Sequence, residues 1–346
     1  MKNHAVYMQG TNNMVTKEIP IPTPGANEVL IKIKVVGICG SDMHYYQHGR
    51  IGDFIVEGDF ILGHESAGEV VEVGPKVKSL KVGDRVALEP GKTCGKCKYC
   101  KEGKYNLCPN VEFFATPPYH GVFTNYVTHP EDMCFKLPDN VSFMEGAIVE
   151  PLAVGLHASG MGEVKLGDTV VIFGSGCIGL VTLLSCKAKG ASKVYVVDVL
   201  ENRLETAMKL GADDVINAKE YDVIQKIGEL TDGQGADVVI ETAGAEVSVK
   251  QTADVVSRGG TIVLVGMTPK DETCFNFMKL MGKEGQLKTI FRYRNLYPVA
   301  ISAISSGAIN VKNIVSHEFG FDSVKEAFDY VVNNAASVVK AVINID

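Results

Sequence analysis

The sequence predicts an α/β protein in two parts: a β-rich first domain, and a second domain built on a doubly wound parallel sheet. At 346 residues the chain is too long for one ordinary hydrophobic core. Up to about residue 150, short β-branched runs are broken by Gly and Pro, which favours an irregular β-rich domain. From about Leu166, strand-like and helix-like segments alternate, as is typical of a parallel sheet covered by helices.

The individual elements follow from the spacing of apolar residues. In the first part we predict strands at 29–36, 68–73, 85–88 and 124–127. In the second part we predict strands at 169–173, 193–197, 236–241 and 261–265, with helices at 178–189 and 201–210. After about residue 285 the pattern is mixed and ends in an amphipathic helix near 323–333 and a strand at 338–343. We expect this tail to rejoin the first domain.

Charge and composition restrict the classes of partner. The 34 Lys and Arg residues against 41 Asp and Glu residues give a net charge of −7, so we expect neither nucleic acid nor an anionic membrane as a partner. The N-terminus lacks the apolar core of a signal peptide, and no window approaches the roughly 18 apolar residues of a membrane span. We therefore expect a cytoplasmic protein, in which the nine cysteines stay reduced.

A glycine-rich turn, Gly174–Gly179, directly follows the predicted strand at 169–173 and opens a helix. Gly174, Gly176 and Gly179 match the pattern that lets a pyrophosphate approach the N-terminal amides of a helix. Asp198 ends the next predicted strand, 19 residues beyond Gly179, where a carboxylate binds the ribose 2′-hydroxyl and repels a 2′-phosphate. This favours NAD, although Arg203 lies close enough to leave NADP open, and Asp198 could instead cap a helix.

Four cysteines, at positions 94, 97, 100 and 108, lie within fifteen residues. Four thiolates complete a tetrahedral zinc site and leave no open position, which is the behaviour of a structural zinc. Unrelated thiols rarely show this spacing. We therefore predict a structural zinc bound by Cys94, Cys97, Cys100 and Cys108.

A second set of metal-binding residue types is spread around that loop. Cys39 supplies a thiolate, His64 an imidazole, and Glu65 and Glu150 carboxylates, which together could hold a zinc that keeps a position open for substrate. Singly, each has an ordinary alternative as a buried thiol, a core histidine or a surface acid. Which of the two glutamates binds the metal directly, and which holds its water, stays open.

Taken together, these residues resemble the zinc-containing medium-chain dehydrogenase family over essentially the whole chain. The resemblance implies a GroES-like catalytic domain at 1–152, a Rossmann NAD-binding domain at 153–288, and a return segment at 289–346 that completes the first domain. Glu150 stands where the alcohol dehydrogenases of this family usually have a cysteine. That departure points toward polyol and threonine dehydrogenases.

Three further segments are similar to the sorbitol and xylitol dehydrogenase branch: 45–54, 114–118 and 291–295. By position in the matching motifs of the family, Ser41 and His44 are expected to relay the substrate proton. The resemblance implies a substrate pocket lined by Tyr45, Phe113, Thr116, Arg292 and Tyr293. It also implies cofactor contacts from Ile178, Arg203, Val265, Met267 and Arg292, besides Gly174, Gly176, Gly179 and Asp198. The family commonly forms dimers or tetramers, and we expect a homotetramer.

The resulting hypothesis is a zinc-dependent oxidoreductase with two zinc ions per chain, which interconverts a polyol such as sorbitol or xylitol and its ketose. Zinc is expected to lower the pKa of a bound secondary hydroxyl, so that its hydride can pass to NAD. The proton would leave through Glu150 and Glu65, or through Ser41 and His44. The alternatives are a threonine-type or simple secondary-alcohol dehydrogenase, and a dinucleotide-binding protein without catalytic activity.

Overall fold

The computed structural model describes residues 2–268, 270 and 272–345 and divides the chain into two compact units. The first unit comprises the chain up to Glu150, Tyr297–Gly307, and the chain from Val315 onward. The second comprises Pro151–Leu296 and Ala308–Ile314. The predicted α/β class, with a β-rich first part and a parallel sheet in the second, is confirmed.

The first unit is dominated by strands. Its strands are β1 (Asn3–Met8), β2 (Met14–Ile19), β3 (Glu28–Ile38), β4 (Arg50–Ile51), β5 (Phe54–Ile55), β6 (Phe60–Ile61), β7 (Glu65–Val73), β8 (Arg85–Leu88), β9 (Gly91–Lys92), β10 (Glu112–Phe113), β11 (Tyr126–Pro130), β12 (Cys134–Lys136), β19 (His317–Gly320) and β20 (Ala341–Asn344). Its helices are α1 (Gly40–His48), α2 (Lys98–Lys101), α9 (Tyr297–Ser305) and α10 (Val324–Asn333).

The main sheet of this unit brings the start and the end of the chain together. Its strand order is β12-β8-β7-β3-β20-β19, with β11 also paired to β3. The central strand β3 is antiparallel to both β7 and β20. Its buried valines and isoleucines pack with Phe123 and with Phe328 of α10 in one apolar cluster. The C-terminal strand β20 therefore lies beside the end of β3, in the same sheet as strands from the first part of the chain.

The second unit is a layered parallel sheet. Its elements are β13 (Thr169–Phe173), α4 (Cys177–Ala188), β14 (Lys193–Asp198), α5 (Glu201–Lys209), β15 (Asp214–Asn217), α6 (Val223–Leu230), β16 (Ala236–Glu241), α7 (Glu246–Val255), β17 (Val256–Leu264), α8 (Phe277–Met281) and β18 (Gln286–Thr289). Its strand order is β15-β14-β13-β16-β17-β18, with every pair parallel. This is the doubly wound arrangement whose order reverses between β13 and β16.

The boundary between the units falls inside a helix. α3 (Phe143–Met161) is continuous, and Glu150 and Pro151 within it belong to different units. Composition could not reveal this division because no polar linker marks it. Residues 289–296 lie in the second unit by their contacts, whereas the sequence prediction began the return segment at 289.

Among the described residues, no helix is both long enough and apolar enough to cross a bilayer.

Candidate metal and dinucleotide sites

Four cysteine side chains converge in the loop that follows β9. The Sγ atoms of Cys97 and Cys100 are 3.4 Å apart, those of Cys94 and Cys108 are 3.6 Å apart, and those of Cys94 and Cys100 are 4.0 Å apart. A tetrahedral zinc with Zn–S bonds of about 2.3 Å needs sulfurs about 3.8 Å apart. The segment 94–108, which we call the lobe, therefore has the shape of a closed four-thiolate zinc site.

The backbone of the lobe prepares its thiolates. Cys97 caps α2, and its Sγ accepts a hydrogen bond from the amide of Cys100. Hydrogen bonds from the amides of Lys96 and Cys97 lower the pKa of Cys94 to about 6. A lowered pKa favours the thiolate, which is the form that binds zinc.

A second group of donors lies at the end of β3. Cys39, His64 and Glu65 each offer a ligand atom, and these atoms lie within 4.8 Å of one another. His64 and Glu65 are buried and Cys39 is half-buried. Thiolate, imidazole and carboxylate are all zinc ligands, and three protein ligands leave a fourth position open. The donor set therefore fits a catalytic zinc.

Strand register produces this convergence. Gly37 pairs with Glu65 across β3 and β7, and Cys39 follows directly as the N-cap of α1. A Cβ atom at Gly37 would lie 2.1 Å from Oε2 of Glu65. Because glycine leaves that space free, the Glu65 carboxylate can lie over the end of β3, near Cys39.

Asp42 joins the two chain segments that carry Cys39 and His64. It is completely buried, and its Oδ2 accepts a hydrogen bond of 3.0 Å from the Cys39 amide. Its Oδ1 accepts from the Gly63 amide at 2.9 Å and lies 3.6 Å from Nδ1 of His64. Burial alone would lower the pKa of His64, but the charges of Asp42 and Cys39 raise it well above its usual value.

Lys340 is the buried cation beside this group. Its Nζ donates to Oε1 and Oε2 of Glu65 at 2.7 and 2.8 Å, and to the main-chain oxygen of Ile38 at 3.0 Å. It precedes β20, whose residue Ala341 pairs with Ile38. Lys340 therefore fixes the Glu65 carboxylate and compensates its charge in the apolar interior.

Glu150 lies on α3, outside the group of three donors found among the described residues. The helix packs closely on β7, since a Cβ at Gly146 would lie 2.9 Å from that of Ala67. Glu150 is buried one helical turn further on.

Burial raises the pKa of Glu89 to about 7, and the charges of Glu150 and Asp132 contribute to this shift. The Tyr105 hydroxyl, which donates to Glu89 at 2.7 Å, opposes it.

The glycine-rich turn lies between β13 and α4 in the second unit. Gly174 has φ of +95°, and Gly176 is the N-cap of α4. A Cβ at Gly179 would lie 1.9 Å from the main-chain oxygen of Gly174, so only glycine permits this close packing of helix against turn. The turn therefore leads directly into the N-terminus of α4, where the sequence pattern predicts the pyrophosphate.

Asp198 ends β14 beside this turn. Its Oδ2 accepts from the amide and the hydroxyl of Ser175 at 2.6 and 2.9 Å. Its Oδ1 accepts from the amides of Val199 and Leu200 at 2.7 and 3.1 Å. These four donors hold a carboxylate at the carboxyl edge of the sheet.

Two family models match the chain: the alcohol dehydrogenase GroES-like domain over residues 25–139, and the zinc-binding dehydrogenase domain over residues 177–306. The chain belongs to the zinc-binding alcohol dehydrogenase family. The predictions of a GroES-like domain and a Rossmann domain are therefore confirmed, as is that of a zinc-dependent oxidoreductase.

Relatives of this zinc-binding dehydrogenase match along nearly the whole chain. The uncharacterized zinc-type alcohol dehydrogenase-like protein YdjJ of Escherichia coli (strain K12) is 49% identical, covering 100% of this chain and 99% of that protein. The sorbitol dehydrogenase of Rattus norvegicus is 45% identical, and the match covers 95% of this chain and 92% of that protein. A crystal structure of an Escherichia coli oxidoreductase/dehydrogenase of unknown specificity, involved in membrane biogenesis, superposes with a TM-score of 0.97 at 48% identity, covering 100% of both chains.

Several of the predicted substrate and relay residues of this dehydrogenase lie in the first unit. The ring of Phe113 is 6.0 Å from that of His64. Tyr45 is buried on α1 with its ring 6.3 Å from that of Phe60. Ser41 is half-buried and His44 is exposed on the same helix. Thr116 is half-buried, and its amide donates to the main-chain oxygen of Phe113 at 3.1 Å. Phe113 at the end of β10 thus lies near the candidate metal centre, and Thr116 lies in the turn that follows it.

The remaining predicted residues lie in the second unit. Ile178 is half-buried in the first turn of α4, and a Cβ at Gly176 would lie 3.8 Å from Nη1 of Arg203. Val265 and Met267 follow β17, and 62% of Met267 is exposed. The guanidinium of Arg292 stacks 4.8 Å from the ring centre of Phe291, and Tyr293 is buried.

Asp42 and Lys340, which lie beside the candidate metal centre, are not among the residues predicted from the sequence. Asp42 carried a usable signal, because an acid three residues after an N-cap such as Cys39 completes a capping box. Lys340 carried none, since 275 residues separate it from Glu65. Only the pairing of β20 with β3 reveals it.

Proposed function

We propose that the protein oxidises a secondary hydroxyl of a polyol to a ketose and passes the hydride to NAD. The observation that carries this proposal is the convergence of half-buried Cys39 with buried His64 and Glu65, which together have the donor set of a catalytic zinc. The sorbitol dehydrogenase of Rattus norvegicus, which is 45% identical over 95% of the chain, supports the choice of a polyol.

Within this proposal Cys39, His64 and Glu65 hold the catalytic metal. A bound zinc supplies Lewis acidity, which lowers the pKa of a substrate hydroxyl. Asp42 orients His64 and the Cys39 segment, and Lys340 fixes the Glu65 carboxylate. Glu150 lies outside the group of three donors, so we assign it the handling of a proton rather than a direct bond to the metal. Ser41 and His44 provide a second proton route.

The cofactor proposal rests on the turn after β13 and on Asp198. The amides of α4 receive the pyrophosphate, and the Asp198 carboxylate binds the ribose 2′-hydroxyl of the adenosine half. A 2′-phosphate is repelled by the same carboxylate, which favours NAD over NADP. The proposed contacts are Gly174, Gly176, Ile178, Gly179, Asp198, Arg203, Val265, Met267 and Arg292.

The residues that we propose to bind the substrate include several that can form hydrogen bonds with hydroxyl groups. Tyr45, Thr116 and Arg292 supply donors and acceptors, while Phe113 and Tyr293 supply ring faces. A site whose polar groups pair with substrate hydroxyls rejects analogues that leave those groups without partners. This favours a substrate with several neighbouring hydroxyls over a simple alcohol.

We further propose a cytoplasmic homotetramer. The support is an apolar patch on α8 of the second unit, the helix that precedes the edge strand β18, where Phe277, Met278 and Met281 are 60–74% exposed. Exposed apolar patches and unpaired strand edges commonly mark interfaces between copies. The nine cysteines, all free of disulfides, agree with a reducing compartment.

The experiment that tests this function is a set of initial rates with sorbitol, xylitol, threonine and butanediol, each with NAD and with NADP. We expect the highest kcat/KM for a polyol with NAD. If the enzyme prefers threonine or butanediol, the proposed substrate class is wrong, whereas the proposed metal-dependent oxidation still holds. No reduction of either cofactor by any substrate would favour the non-catalytic alternative.

A further inference from the structure

Glu241 is a buried acid that the proposed mechanism does not use. It ends β16 and is 0% exposed. Its Oε1 accepts from the amides of Ala243 and Gly244 at 3.0 and 2.9 Å, and from the hydroxyl of Ser248 on α7 at 2.7 Å. Burial raises the pKa of Glu241, and these donors oppose that shift without cancelling it. The carboxylate therefore organises the loop that connects β16 to α7.

The same residue also holds the loop that follows β17. Its main-chain oxygen accepts from the amides of Val265 and Gly266 at 2.8 and 3.0 Å. A Cβ at Gly266 would lie 2.7 Å from Oε2 of Glu241 and 2.2 Å from the nitrogen of Gly244. Glu241 therefore ties together two loops, 242–245 and 265–268, at the carboxyl edge of the sheet.

The strand order indicates which half of a dinucleotide meets these loops. A doubly wound sheet of this order consists of two mononucleotide-binding halves on either side of the switch point. The glycine turn after β13 and Asp198 at the end of β14 belong to the half that takes adenosine. β16 and β17 belong to the other half. The Thr242 hydroxyl joins the two halves, since it donates to the main-chain oxygens of Phe173 and Gly174 at 2.7 and 3.2 Å.

We propose that Glu241 is a positioning residue that sets the loops 242–245 and 265–268 for the nicotinamide half of the cofactor. This inference rests on the proposed use of a nicotinamide dinucleotide. Glu241 itself does not contact the cofactor in this proposal. It acts through the amides that it holds, and through Val265 and Met267 on the second loop.

Glu241→Gln tests the proposal because it preserves volume and replaces one acceptor by an NH2 group that faces amide donors. The dissociation constants of NADH and of ADP are measured on the zinc-loaded protein. ADP has the adenosine and pyrophosphate but lacks the nicotinamide nucleoside. We expect the dissociation constant of NADH to rise at least about 10-fold, which corresponds to the loss of roughly one charge-assisted hydrogen bond. The dissociation constant of ADP should change less than about 2-fold.

The matched control is Asp168→Asn, which also alters a buried carboxylate of the second unit. Asp168 precedes β13 at the opposite edge of the sheet, where it accepts from the Lys165 amide at 3.0 Å. This variant should leave both dissociation constants unchanged. An equal loss for NADH and ADP in Glu241→Gln, or no loss for either, overturns the proposal.

Ser248→Ala removes a single donor to the carboxylate and decides the question if Glu241→Gln does not fold. A weakening confined to NADH supports the positioning role. Unchanged binding, or equal weakening of both ligands, contradicts it. If the unmodified protein binds neither NADH nor ADP, the proposed cofactor is wrong, and that outcome is distinct from a failure confined to Glu241.

Discussion

Lys340 and Glu65 form a buried ion pair beside the candidate zinc centre, with Nζ 2.7 Å from Oε1 and both side chains at most 4% exposed. Removing one member of such a pair leaves the other charged in an apolar interior. The pair therefore links the C-terminal strand to the integrity of the metal centre.

Lys340→Met should lower the free energy of unfolding of the zinc-free protein by about 3–5 kcal/mol, because it leaves the Glu65 carboxylate without compensation. Denaturant unfolding followed by circular dichroism measures the change. The control is Lys2→Met, which removes an ion pair with Glu18 whose side chains are 72% and 57% exposed. Such exposed pairs contribute at most about 1 kcal/mol. Equal effects of the two substitutions would contradict the role assigned to Lys340.

Cys97→Ser should reduce the zinc content from two ions per chain to one and lower the melting temperature, because the four-sulfur site then lacks a ligand. The activity of the protein that folds should be largely retained. Metal analysis and calorimetry check this, with the exposed Cys274→Ser as the control that keeps both ions. A Cys97→Ser protein with two zinc ions and unchanged melting would rule out a structural zinc in the lobe.

Asp198→Ala should decrease kcat/KM for NAD by about 10- to 100-fold, the range expected for hydrogen bonds to a charged group. The same change removes a negative charge that repels a 2′-phosphate, so the ratio of kcat/KM for NADP to that for NAD should rise. Steady-state rates with both cofactors measure that ratio. An unchanged ratio would mean that Asp198 does not select the cofactor.

The stability of the protein should fall as the pH drops from about 6.5 to about 4, in part because of His129. This side chain is buried, with Nε2 2.7 Å from the main-chain oxygen of Glu89. Burial lowers the pKa of His129 to about 4, so the unfolded chain binds the proton more tightly than the folded protein does. The contribution of neutral His129 to the free energy of unfolding, relative to low pH, is complete above about pH 6.5 and amounts to about 3 kcal/mol.

Unfolding free energies of the wild type and of His129→Gln between pH 4.5 and about 7.5 test this point. The variant should show a flatter dependence on pH, whereas His48→Gln, at an exposed position, should retain the wild-type slope. Parallel curves for the wild type and His129→Gln would show that another group causes the loss. Acid release of zinc affects all three proteins alike and cancels in the comparison.

The sequence predicted those parts of the site whose signal is local. The four lobe cysteines and the glycine turn are each contained in a short segment, so spacing alone indicated their chemistry. The strands at 85–88, 169–173 and 236–241 were predicted at the observed bounds because each is a short apolar run with clear ends. Cys39 and His64 were proposed as partners, and the pairing of β3 with β7 explains why they meet.

Features that depend on contacts between residues far apart in sequence could not be predicted. Neither the pairing of Lys340 with Glu65 nor the burial of Glu241 leaves a mark in the neighbouring residues. The strand predicted at 124–127 forms at Tyr126–Pro130, because its register is set by pairing with β3 rather than by its own composition. α3 was not predicted, since its apolar residues surround the helix and lack a periodic face.

We infer that one zinc held by Cys39, His64 and Glu65 is required for polyol oxidation. Zinc content, NADH binding and the rate of NAD reduction with sorbitol and xylitol should be measured on the same preparations of the wild type and of Cys39→Ser. The wild type should contain two zinc ions per chain and turn over. Cys39→Ser should retain the lobe zinc and bind NADH but show no turnover. If folded Cys39→Ser, with metal only in the four-sulfur lobe, still oxidised these polyols, the account would be contradicted.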